Sequence, residues 1–301
     1  MDTQPRSEPA VVVVGSVNVD LSLHVPSLPR PGETVTGGGL SRSGGGKGGN
    51  QAAAASRLGA RVWLIAEVGG DPVGDEALAE LARDGVDTSL VGRGREPTGV
   101  AVILVEDSGE NLIAVAPGAN LKLDPDRIGA AIRGLSMPAA VVLACHEIPD
   151  ECVLAAAVAS SSRGYQMVLN AAPARPLSAR LLSSSQVVIC NQVELPVVAP
   201  GGVSRLLGQG LKAVLVTLGA GGVDLFLAGH ARLNVPAPSV DVEDTTGAGD
   251  AFCGAFATLL AEGGSIEEAT RFAVTVAAIS VRSRGARGGM PHRSDLQHGE
   301  V

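Results

Sequence analysis

The sequence predicts an α/β protein: a mostly parallel sheet covered by helices on both faces, with a second, small β-sheet as a lid. Three observations carry that expectation. Apolar, β-branched runs alternate with helical stretches along most of the 301 residues, which is how strands buried on both faces of a parallel sheet read. Two longer stretches break the rhythm with alternating or hairpin character. Forty glycines supply the tight loops that so many connections need.

The polar start "MDTQPRSEPA" reads as a loose tail over residues 1–9, with one folded domain over 10–301. "AVVVVG" is the first strand, and "GSVNVD" closes it with Asn18 and Asp20 on the same side. "LSLHVPSLPRPGETVTGGGLSRSG" is the first lid stretch, leading into a glycine run and the helical "NQAAAASRLGA". After the strand "RVWLIAEVG" and the helix "VGDEALAELARDG" comes the second lid stretch, "TGVAVILVEDSGENLIAVAPGAN", with "EDSGEN" as its turn. The lid is thus expected over residues 20–44 and 97–118. "AAVVLAC", "YQMVLN", "QVVICN" and "KAVLVTLG" are further strands, with the helical "PDECVLAAAVASSSRG" between the first two. Ligands of such sheets sit beyond the carboxyl ends of the strands, and Asn18, Glu147, Asn170, Asn191 and Thr217 all follow directly on those runs.

Composition narrows the function. A net charge of −8 and 2% aromatic residues argue against a nucleic-acid or anionic-membrane surface and favour small-molecule chemistry. "AVVVVG" is too short for a signal or membrane span. The four cysteines, Cys145, Cys152, Cys190 and Cys253, have no CxxC spacing and lie in or beside apolar stretches, so reduced, buried thiols and a cytoplasmic location are expected.

The chemistry concentrates in "VDVEDTTGAGDAF". Glycines at 247 and 249 let successive N–H groups point into one space, and the helix beginning there adds its unpaired donors and positive dipole end. Asp250 is then an acid facing an anion hole, an arrangement suited to taking a proton while a phosphoryl group arrives. "SGGGKGGNQAAAA" contains GxGxxG at Gly44, Gly46 and Gly49 but does not directly follow the first strand, and Lys47 precedes Gly48 rather than Ser or Thr. It is neither a dinucleotide fingerprint nor a Walker loop. It reads either as a flexible turn or as a close approach to a ligand by Lys47 and Asn50. Asn18 and Asp20 suit either a turn or a neighbour rich in hydroxyls. In "NQVE", Asn191 is either a helix N-cap or, with Glu194, a partner for magnesium. His146 and Glu147, adjacent on a strand, point to opposite faces and make no zinc pair.

Together these segments, from about residue 11 to 292, resemble the ribokinase family of sugar kinases, also called the phosphofructokinase-B family. The resemblance is carried by "GSVNVD", "PGETV", "GGKGGNQAAAASRLGA", "VGGDPVG", "PTGVAVILV", "GENLIAVAPGAN", "NAAPAR", "NQVE", "VTLGAGGV" and "DTTGAGDAFCGAF". It implies a three-layer α/β/α domain and transfer of a phosphoryl group from ATP to the primary hydroxyl of a pentose, giving ribose 5-phosphate. Asp250 is then the base, and the amides of Gly247, Ala248 and Gly249 form the anion hole. Asn18, Asp20, Gly46, Lys47, Asn50 and Glu147 hold the sugar. Asn191, Glu194, Thr217, Gly219 and Gly249 face the nucleotide, with Asn191 and Glu194 reaching Mg2+ through water.

The resemblance also implies a K+ site made by Asp244, Thr246, Ser280, Ser283 and Gly285. Gly289 stands where such kinases often place a serine. The connection after Glu194 is shorter than in relatives, and Pro196 there fits only a first helical turn. A homodimer paired through the lid follows from the same resemblance. The competing readings are a kinase for deoxyribose, a hexose such as fructose, or a nucleoside such as adenosine, and a non-catalytic sugar or nucleotide sensor on the same fold. A dinucleotide-dependent oxidoreductase is the poorest, its GxGxxG being misplaced.

Overall fold

The computed structural model describes residues 9–108, 110–137 and 140–296; most of the expected tail lies outside them. The strands are β1 (Ala10–Val14), β2 (Asn18–Val25), β3 (Leu40–Gly45), β4 (Arg61–Ile65), β5 (Glu67–Gly69), β6 (Gly92–Gly94) and β7 (Gly99–Glu106). They continue as β8 (Asn111–Ala116), β9 (Val141–Cys145), β10 (Gln166–Asn170), β11 (Val187–Asn191), β12 (Ala213–Thr217), β13 (Val223–Leu227) and β14 (Leu233–Val235). The helices are α1 (Lys47–Arg57), α2 (Pro72–Arg83), α3 (Pro125–Gly134), α4 (Asp150–Arg163), α5 (Ala179–Ser183), α6 (Leu195–Val198), α7 (Val203–Leu207), α8 (Ala248–Ala261) and α9 (Ile266–Ser280).

The main sheet runs β14-β13-β12-β11-β10-β9-β1-β4. Neighbours from β4 across to β12 are parallel, and β13 and β14 close the edge antiparallel. Both faces are covered. Along β1, Val11 and Val13 join the core beneath α1, α2, α8 and α9, while Val12 and Val14 join the one beneath α3 and α4. Side chains alternate across a strand, so a run of consecutive valines serves two cores at once. That is the three-layer arrangement the alternating pattern predicts.

β3-β2-β7-β8 form a separate four-stranded sheet. Its strands overlap residues 20–44 and 97–118, with β2 beginning earlier, at Asn18, and β3 ending later, at Gly45. Leu40, Val102, Leu112, Ile113 and Val115 lie exposed on it, Ile113 by 60%.

Some expectations change. Asn18 and Asp20 do not close β1; they open β2 of the second sheet, because the chain leaves the main sheet at Val14. "RVWLIAEVG" is two strands, since β5 leaves the main sheet to pair with β6. The helix after the glycine run starts at Lys47, so Lys47 and Asn50 stand in its first turn. All four cysteines are free and buried.

Candidate active site

Parallel strands deliver their last residues to one edge of the sheet. Asn170 at the end of β10, Asn191 at the end of β11 and Thr217 at the end of β12 line one cavity there, together with Lys47, Glu194, Gly249 and Asp250. The N-termini of α1 and α8 border it. Two segments far apart in sequence thus face a common space, with dipoles favourable to an anion.

At α8 the chain turns through Gly247 with φ of 79°, a left-handed conformation that glycine adopts without cost. A side chain there would also run into the Ala286 backbone. Ala248 N–H donates to the Thr245 carbonyl at 3.2 Å. This corrects the expectation that its amide lines the anion hole: the turn consumes that donor. Among the described residues, the amides of Gly247, Gly249 and Asp250 have no acceptor and are open to a negative group.

Asp250 is buried at 7% exposure. Its two oxygens accept from Asn50 Nδ2 at 2.9 Å and Gln51 Nε2 at 3.0 Å. Burial raises its carboxyl above the ordinary range, while the Lys47 charge and both amides oppose that rise. Lys47 is in turn held well above its usual value, chiefly by Asp250 against the cost of its own burial. A buried carboxylate facing a lysine, with a raised proton affinity, is a competent base for a hydroxyl.

On the other side of Lys47, Glu147 accepts from Ser16 Oγ at 2.5 Å and from the Lys47 amide at 3.0 Å. Asn18 Oδ1 accepts from Asn120 Nδ2 at 2.7 Å, and Asn120 is itself fixed by the Val17 amide. Asp20 is pushed up to about 6 by burial, opposed by Arg287 and reinforced by Glu147 and Asp250. Gly46 caps α1 between these groups.

Asn191 and Glu194 cap each other: Asn191 Oδ1 accepts the Val193 and Glu194 amides at 2.9 and 2.8 Å, and Glu194 Oε2 accepts the Asn191 amide at 2.8 Å. Both lone pairs of the Asn191 amide oxygen are therefore used. Direct metal ligation by that oxygen is excluded in this arrangement, whereas Glu194 Oε1 stays uncommitted and fits a water-mediated magnesium. Pro196 sits in the first turn of α6, as its spacing requires. Gly219 opens a 3-10 turn just beyond Thr217.

The Asp244 carboxylate ties two loops, accepting from the Thr246 amide at 2.9 Å and the Gly285 amide at 2.8 Å. Burial tends to raise its carboxyl, but these bonds and Arg284 hold it below the usual range. The carbonyls of Thr246, Ser280 and Ser283 accept no hydrogen bond among the described residues, which fits a monovalent cation taking oxygen ligands. At Gly289 a β-carbon would fall on the Ser280 carbonyl, so the backbone occupies the space a serine there would need.

Gln51, Ser16, Asn120 and Arg287 were not expected in the site. Gln51 had a signal, being next to Asn50 in the same motif. The others reach it across more than a hundred residues of sequence; Ser16 and Asn120 stand in the quoted motifs "GSVNVD" and "GENLIAVAPGAN", but nothing local shows what they would touch.

A family model described as "pfkB family carbohydrate kinase" matches residues 8–293. The chain is 36% identical to the ribokinase of Haemophilus influenzae over 95% of its length and 96% of that protein's. It is 33% identical to the deoxyribokinase of Salmonella typhi, over 93% and 95%. The solved structure of Arabidopsis thaliana ribokinase with ribose and ATP superposes with a TM-score of 0.87 at 32% identity, covering 97% of this chain and 98% of that one. Matched along nearly its whole length in sequence and in fold, the chain belongs to the pfkB family of carbohydrate kinases.

Proposed function

We propose that the chain transfers the γ-phosphoryl group of ATP to the primary (O5) hydroxyl of D-ribose, giving ribose 5-phosphate and ADP. The observation that carries this reading is the placement of Asp250. It is a buried carboxylate in the first turn of α8, held by Asn50 and Gln51 beside the free amides of Gly249 and Asp250.

Asp250 accepts the proton as the hydroxyl oxygen attacks phosphorus. The α8 amides, with Gly247 shaping the turn, and the Lys47 ammonium stabilise charge on the transferring group. Asn18, Asp20, Gly46, Lys47, Asn50 and Glu147 form the sugar side; Asn18 and Asp20 reach it from the second sheet, which acts as a lid. Asn191, Glu194, Thr217 and Gly219 form the nucleotide side. Glu194 would hold Mg2+ through water, and the metal would supply charge to neutralise the phosphate oxygens. Asp244 with the free carbonyls of Thr246, Ser280 and Ser283, and with that of Gly285, which also accepts the Gly288 amide, next to Gly289, would hold K+ and steady the α8 turn.

The exposed apolar residues of the lid support a homodimer paired through that sheet. A cytoplasmic location is supported by four free, buried cysteines. No helix among the described residues is long and apolar enough to cross a membrane. The similar proteins from Haemophilus influenzae and Salmonella typhi are a ribokinase and a deoxyribokinase, so the test is ADP release with MgATP and potassium across ribose, 2-deoxyribose, fructose, adenosine and no sugar. The highest kcat/KM on ribose supports the reading. A higher value on another sugar reassigns the substrate, and no turnover favours a sensor.

A further inference from the structure

We propose that Arg287 is a positioning residue for this phosphoryl transfer, acting through Asn50; the inference rests on the kinase reading above. Asn50 is 5% exposed, and its amide is nearly symmetrical in shape, so its partners decide which end faces which. On one side stands the Asp250 carboxylate, which only accepts. On the other stands Arg287 Nε, which only donates, 2.9 Å from Asn50 Oδ1. The series guanidinium, amide, carboxylate therefore has a single sense, with Asn50 Nδ2 turned to Asp250 Oδ2 at 2.9 Å. Charges of opposite sign at its two ends polarise the amide and tighten both bonds.

The same guanidinium reaches a second part of the site. Nη2 donates to the Gly45 carbonyl at 3.0 Å, immediately before the Gly46 cap of α1. Arg287 thus fixes both the Asn50 amide and the start of the helix that carries Lys47. Its charge also faces Asp20.

Anchoring the loop does not explain this residue. Arg57 Nη1 already holds the Arg287 carbonyl at 2.5 Å and the Met290 carbonyl at 3.1 Å, so the loop backbone is tied down without the Arg287 side chain. Arg287 is 8% exposed, and burying a guanidinium is a weak way to gain stability. Its Nη1 makes no hydrogen bond and has only Glu80 Oε2 at 3.9 Å. The two donors with good geometry are the two that face the site. A buried charge with loose ion pairing but directed donors fits alignment of Asn50 better than stabilisation of the fold.

The test is a double-mutant cycle of Arg287→Met and Asn50→Ala in the full chain, read as ADP release on the sugar that the wild type uses best. A residue acting through Asn50 gives a non-additive cycle. Arg287→Met is expected to lower kcat by about 10-fold or more in the wild-type background and by no more than about 2-fold in the Asn50→Ala background, with KM for MgATP within about 2-fold in both. Equal losses in the two backgrounds, or a kcat unchanged in the first, overturn the proposal. If Arg287→Met fails to melt cooperatively, Arg287→Lys takes its place in the cycle. It keeps the charge but not the two-pronged donor, and a smaller loss with the same non-additivity is expected; additivity overturns the proposal there too. A wild-type protein that turns over no sugar overturns the kinase reading first and this proposal with it, whereas turnover with an additive cycle overturns this proposal alone.

Discussion

Gln51 Nε2 lies 3.0 Å from Asp250 Oδ1, across the interface of α1 and α8 and 199 residues away along the chain. Its neighbour Asn50 holds the other carboxylate oxygen. The acid is therefore oriented by one helix while it stands on another, and Thr258 further along α8 donates to the Ala55 carbonyl of α1 to extend the contact. On the proposed reading, a base aimed in this way by its own neighbours spends little of the reaction barrier on reorganisation.

Asp250→Asn should remove the base and leave the surrounding donors in place. The expected loss in kcat is about 10²–10⁴-fold, with sugar and nucleotide affinities changed by no more than several-fold. Steady-state kinetics together with binding titrations separate the two effects; a mutant retaining more than about a tenth of the wild-type rate contradicts the assignment.

Lys47→Met removes the charge that opposes the raised carboxyl of Asp250. The sugar KM should rise, and the acid limb of the kcat profile should move to higher pH, because without Lys47 the Asp250 proton is lost less readily. An unchanged sugar KM takes Lys47 out of the sugar pocket.

Asp20 supplies a pH test with two readouts of opposite sign. Its carboxyl is raised from 3.8 to about 6 in the folded protein, mainly by burial, with Arg287 opposing and Glu147 and Asp250 reinforcing the rise. The protonated group's contribution to stability is complete below the unfolded value and is lost as pH rises through about 6. Asp20→Asn should therefore raise the melting temperature at neutral pH and lose that advantage near the unfolded value. Sugar KM should move the other way, falling in the wild type as Asp20 ionises and becomes a full acceptor for hydroxyls. A pH-independent KM across this interval removes Asp20 from sugar binding.

Potassium should raise the rate over sodium at equal ionic strength, since Thr246, Ser280 and Ser283 leave their carbonyls free beside Asp244. Gly289→Ala should destabilise by about 1–3 kcal/mol, as in other overpacked sites, because its β-carbon collides with the Ser280 carbonyl. Denaturant titration measures the second effect. Identical rates in the two salts dispose of the cation site.

Ile113→Glu with Val115→Glu on β8 should yield a monomer by light scattering if the second sheet forms the proposed dimer contact. A wild-type protein that is already monomeric contradicts that contact.

The layered fold was legible because its strands are short β-branched runs, and part of the candidate site was legible because polar residues stand at their ends. Asn170, Asn191 and Thr217 all meet in one cavity. What stayed hidden depends on contacts between distant segments. Arg287 reaches Asn50 over 237 positions, Asn120 reaches Val17 over 103, and neither leaves a periodic trace. The use of Ala248's amide by Thr245 was equally unreadable, since a GAGD turn specifies where donors point but not which are taken. Asn18 and Asp20 were read as the end of β1 because β2 follows it with no strong break in the apolar pattern.

The base, its two amide partners and the free α8 donors all belong to two helices packed against the main sheet, while Asn18 and Asp20 belong to a different sheet. On the proposed reading, proton transfer and part of the sugar recognition are thus carried by different pieces of the chain. On that reading a new substrate preference can arise by altering the part of the second sheet away from the Gly45 contact with Arg287, which gives this architecture a route to diversify its sugars while its reaction stays the same.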